Sequence, residues 1–122
     1  MASAAVVAVI DIMKKEKLAD RALTMGALMK QRLLEIQETS PYLGDVRGIG
    51  LVMGVELVKD KKTKEPAPEL TKKLIDLAAA HGVLVGSVGV FGNVIRVAPP
   101  LVISEAAALE SLDLFAQAVA KL

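Results

Sequence analysis

The sequence has no cysteine and no tryptophan, and only one histidine, one tyrosine and two phenylalanines in 122 residues. Without cysteine there is no disulfide framework and no thiolate chemistry, and a lone histidine cannot assemble a usual zinc site, so no metal is expected. Three six-membered side-chain rings are too few for a base-stacking platform. Charge of one sign is missing too. Fifteen Lys and Arg stand interspersed with fourteen Asp and Glu, for a net charge of +1, which gives no field to attract nucleic acid or an anionic membrane. Long apolar runs are also lacking. The run Ala4 to Ile10 has no basic region before it and meets Asp11 after seven residues, too short for a bilayer and unlike a signal peptide. A cytoplasmic location is the expectation.

What is present is aliphatic. Hydrophobic residues make up 53% of the chain and aromatics 2%, so the apolar content is Ala, Val, Leu, Ile and Met. A chain of this length fits one domain with a real core, but it is short for an enzyme that builds its whole active site alone. Small domains have much surface for their volume. Some of this apolar surface should therefore stay outside the core and mark a contact with something else. The chain reads as a piece of a larger assembly, and self-association into a homo-oligomer is expected.

From Ala2 to Met13 the residues are apolar on nearly every side, which predicts a helix buried all round or packed on an absent partner. Lys14-Lys15-Glu16-Lys17 breaks it. Leu18, Ala22, Met25, Met29, Leu33 and Ile36 then recur at helical spacing over about five turns, until Pro41 disfavours helical geometry before it. Asp45 to Val58 reads as two strands or one bent strand, with Ile49, Leu51, Met53, Val55 and Leu57 on one face. The charged stretch Lys59 to Glu65 is a solvated loop. A helix with the stripe Leu70, Leu74, Leu77 and Ala78 runs to His81-Gly82, where glycine suits the position after a helix. Val83 to Gly86 reads as a strand, Ser87 to Gly92 as a turn, and Val94 to Ala98 as another strand. Ser104 caps a last helix with Leu109, Leu112, Phe115, Ala116 and Val119 inward. This order predicts a small α+β domain: an antiparallel or mixed sheet of three to four strands with helices packed on one face.

The catalytic inventory is nearly empty. No serine sits in a nucleophile elbow, Gly48-x-Gly50-x-x-x-Gly54 misses the dinucleotide fingerprint by one residue, and all eleven lysines fall in polar settings unsuited to a Schiff base. No catalytic residue is assigned. Arg96 stands out, because it interrupts the apolar run Val94-Ile95-Arg96-Val97-Ala98 before a double proline. A guanidinium keeps its proton and is costly to bury alone, so such a strand supplies it to a carboxylate. That carboxylate is a ligand's or, in the plainer reading, a cross-strand neighbour such as Glu56. Arg47, at a bend, is expected to bond a loop carbonyl. His81 is expected as a cation or polar residue at a helix C-terminus, and Met13, Met25, Met29 and Met53 as packing.

Three segments read together resemble the C-terminal part of class III pyridoxal-phosphate-dependent aminotransferases, the family of ornithine, 4-aminobutyrate and acetylornithine aminotransferases. They are Ala4 to Asp11, Gly44 to Leu57 with its Val46-Arg47-Gly48-Ile49-Gly50-Leu51 core, and Gly92 to Leu101 with Val94-Ile95-Arg96-Val97-Ala98-Pro99-Pro100. The resemblance spans essentially the whole chain. It implies the small domain of a fold-type I aminotransferase over residues 1–122, with 1–17 as the helix linking it to a large domain. It also implies that Arg96 holds a substrate carboxylate or an acidic switch residue in the cleft. Pyridoxal phosphate in the complete enzyme would rest on that large domain, together with the Schiff-base lysine and the aspartate facing the pyridine nitrogen. These residues are absent from this sequence, so the isolated chain is expected neither to catalyse nor to bind the cofactor. The reading from another class is a free-standing, non-catalytic α+β module that binds a ligand or oligomerises.

Overall fold

The computed structural model describes residues 2–122; Met1 of the expected linking helix lies outside them. Helix α1 (Ala2–Lys15) ends at Glu16 and Lys17, where Lys17 adopts the left-handed conformation with φ 50°, and α2 (Leu18–Thr39) starts at once. The stripe read from the sequence turns inward in α2: Leu18, Met25, Met29, Leu33 and Ile36 are buried. Ser40, just before Pro41, is extended and ends the helix.

The next two elements form a hairpin, β1 (Leu43–Ile49) and β2 (Val52–Leu57), closed by Gly50 and Leu51. Gly50 has φ 55°, a conformation glycine adopts without steric cost. The hairpin turn packs on α2 so tightly that only the bare Cα of Gly26 fits against the Gly50 carbonyl. Helix α3 (Pro68–Ala80) begins with proline in its first turn and ends at His81, before Gly82. Strands β3 (Gly86–Val88) and β4 (Val94–Val97) and helix α4 (Glu105–Val119) complete the chain. Ser104 caps α4 by accepting a hydrogen bond from the Ala107 amide at 3.2 Å.

The sheet has the order β1-β2-β4-β3, and every neighbouring pair is antiparallel. Val46, Met53, Val55 and Ile95 meet Leu33 of α2, Leu74 of α3 and Phe115 of α4 in one core. Helices α2, α3 and α4 thus cover one face of an α+β domain, as the sequence predicts. The opposite face stays bare.

Two details differ from the sequence reading. Ile49 is 78% exposed rather than in the core, because the turn resets the alternation and pairs Ile49 with Val52 on the bare face. The segment Val83–Val85 is not a strand; pairing with β4 starts at Gly86. Helix α1, expected either buried all round or packed on an absent partner, is not buried within the chain. Val6, Val7, Val9, Ile10, Ile12 and Met13 are all exposed.

Candidate functional site

On the bare face, strand register sets the neighbours. Residues opposite one another on adjacent strands share a face. Gly54 of β2 lies opposite Arg47 of β1 and Arg96 of β4, and Arg96 lies opposite Gly86 of β3. Both side-chain neighbours of Arg96 in its row are therefore glycines. One step along, Glu56 lies opposite Asp45 and Val94. This row, in which two arginines alternate with two glycines, was invisible in the sequence, since register is a tertiary property.

The four arginines divide clearly. Arg21 donates to the Leu101 and Ile103 carbonyls, tying α2 to the segment after β4. Arg32 bonds Asp113 at 2.8 Å and Glu35 at 3.0 Å. Arg47 bonds Asp45 at 2.7 Å and Glu56 at 2.5 Å, carboxylates rather than the loop carbonyl expected. The hydrogen bonds to Asp45 and then Glu56 raise the Arg47 pKa above its ordinary value. Arg96 is exposed. Among the described residues it has neither an ion pair nor a side-chain hydrogen bond, so the expected cross-strand pair with Glu56 is not formed.

Arg96 lines a concavity of about 750 Å³, within the size range of small-molecule sites. Its walls come from Met29 of α2, from Gly82–Val88, from Arg96–Pro100, from Ile103, and from Ala107, Glu110, Ser111 and Leu114 of α4. Arg96 and Glu110 are its charged lining residues. His81 lies at the end of α3, half-buried; Nδ1 meets the Leu77 carbonyl at 2.8 Å and Nε2 meets Lys121 Nζ at 3.0 Å. His81 thus sits as a polar residue at the helix C-terminus, one of the two settings expected for it. No group of three or more His, Asp or Glu among the described residues is placed to hold a metal. None of the described helices is long and apolar enough to cross a membrane.

The model of the aminotransferase class-III family matches residues 1–119. The chain belongs to this family. It is 43% identical over 117 residues to a 4-aminobutyrate aminotransferase of Mycobacterium leprae, a match covering 96% of this chain and 26% of that protein. It is 48% identical over 101 residues to an isoleucine 2-epimerase of Lentilactobacillus buchneri, covering 83% and 22%. In fold it matches a phospholyase from Arthrobacter in complex with phosphoethanolamine with a TM-score of 0.91 and 37% identity, over 98% of this chain and 28% of that one. The chain thus spans roughly a quarter of the length of the relatives it matches.

Class III membership implies pyridoxal phosphate in the complete enzymes. The residues present here do not make a seat for it. No lysine lines the concavity, and none of the eleven is buried, whereas a Schiff-base lysine needs a desolvated setting.

Proposed function

We propose that these residues form the C-terminal small domain of a class III aminotransferase, where they make one wall of the substrate cleft and Arg96 receives a carboxylate. One observation carries the reading. Of four arginines, three are bonded to groups within the chain, and the fourth, beside the concavity, has no such partner among the described residues. A planar guanidinium fork fixes both the charge and the direction of an incoming carboxylate. The ligand class that follows is an amino acid or other carboxylate substrate.

Pyridoxal phosphate, if bound to a large domain outside these residues, would supply the electron sink for chemistry at the substrate carbon. This chain's part is to bind and orient. The relatives include an epimerase as well as aminotransferases, which fits a domain that positions substrate while other residues select the reaction. Helix α1, apolar and exposed, serves as the link to the large domain. The whole enzyme is a cytoplasmic homo-oligomer in this reading.

The test is Arg96→Ala in the complete enzyme. KM for carboxylate substrates should rise about 10- to 100-fold, the worth of a hydrogen-bonded charge pair, with the cofactor absorbance spectrum intact. Carboxylate-free amines should be unaffected. Unchanged KM and kcat for every carboxylate substrate would overturn it.

A further inference from the structure

Glu56 stands one diagonal step from two arginines, and only one of them holds it. Across the bare face, Gly54 has Arg47 on one side and Arg96 on the other, while Glu56, two residues along β2, sits diagonal to both. Such diagonal neighbours lie about 7–8 Å apart at the backbone, within reach of long side chains. Arg47 takes Glu56 Oε2 and Asp45 Oδ2 together. The other Glu56 oxygen faces Asn93 Nδ2 at 3.5 Å, and buried Asn93 is itself fixed by donating to the Leu57 carbonyl at 2.9 Å. Glu56 is held away from Arg96 from two sides.

We propose that Arg47 is a positioning residue for the carboxylate site: it sequesters Glu56 and thereby keeps Arg96 free for ligand. This rests on the reading of Arg96 given above. An unpaired guanidinium accepts a carboxylate without first losing a partner. A released Glu56, tethered to the neighbouring strand, would compete for Arg96 at the high effective concentration of an intramolecular group. Asp45 lies on β1, one strand further from Arg96, and is a much poorer competitor.

The experiment uses the complete enzyme, with propionate as a competitive carboxylate probe. Arg47→Met keeps the aliphatic stem and frees Glu56; the propionate inhibition constant and the KM for carboxylate substrates should rise about fivefold, the scale of an exposed ion pair. The kcat should stay within about twofold, and carboxylate-free amines should be unaffected. Adding Glu56→Gln should restore both constants, whereas adding Asp45→Asn, which removes the same charge from β1, should not. Should Arg47→Met not fold, Arg47→Lys carries the same test, with a smaller rise that Glu56→Gln again cancels. A propionate constant unmoved by the Arg47 variant overturns the proposal, as does a rise that Glu56→Gln leaves in place or that Asp45→Asn cancels equally well. Arg96→Ala, run in parallel, separates the two ideas. If it leaves the propionate constant unchanged, the carboxylate site itself is wrong; if it raises the constant and the Arg47 variant does not, only the positioning role fails.

Discussion

Gly26 of α2 and Gly50 of the hairpin turn meet backbone to backbone, and a methyl group on Gly26 would overlap the Gly50 carbonyl. The glycine in mid-helix is costly by itself, by about 1 kcal/mol relative to alanine. The close approach explains why it is there. Gly26→Ala should therefore destabilise the chain despite its better helix propensity, by about 1–3 kcal/mol from overpacking. Urea unfolding followed by circular dichroism checks this, and a gain in stability would contradict the contact.

Ser104 caps α4 through its side-chain oxygen. Replacing it with alanine leaves the Ala107 amide without that acceptor and should cost about 1 kcal/mol. Ser104→Asp, which retains an acceptor and adds a negative charge at the positive end of the helix, should be neutral or stabilising. The urea midpoints of the two variants should thus move apart.

Helix α1 leaves Val6, Val7, Val9, Ile10, Ile12 and Met13 exposed. Contiguous apolar surface of this kind drives association. The 122-residue chain should show a sedimentation coefficient that rises with concentration, and Val7→Lys with Ile10→Lys should reduce that dependence. A concentration-independent monomer before substitution would contradict the expectation.

Arg96→Lys keeps the charge but loses the planar fork. In the complete enzyme it should retain part of the carboxylate preference, with KM between the wild-type and Arg96→Ala values. Steady-state kinetics on paired carboxylate and amine substrates reads this directly. Full wild-type behaviour would mean that charge alone is recognised.

The parts of the fold that depend on local pattern were readable from the residues. The stripe of α2, the proline start of α3, the serine cap of α4 and the glycine after His81 each follow from chemistry within a few residues. What was not readable depends on register. The alternation through Ile49 looked continuous, yet the turn at Gly50 and Leu51 moved Ile49 to the bare face. Val94 shares a face with Arg96 but is buried, with its methyl groups close over Gly54 and near Gly89. For Arg96, the strand and the oddity of its charge were visible in one line of sequence. That Arg47 rather than Arg96 holds Glu56 was not, because the three are brought together only when β2 is placed between β1 and β4.

That placement has a mechanical corollary. A cation on an inner strand is anchored by ladders on both flanks, so its main chain cannot drift to follow a ligand; only the torsions of its own side chain remain adjustable. The scaffold therefore acts as a fixed mount with a short swivelling arm, and a bound acid would be met by rotation of that arm rather than by movement of the strand.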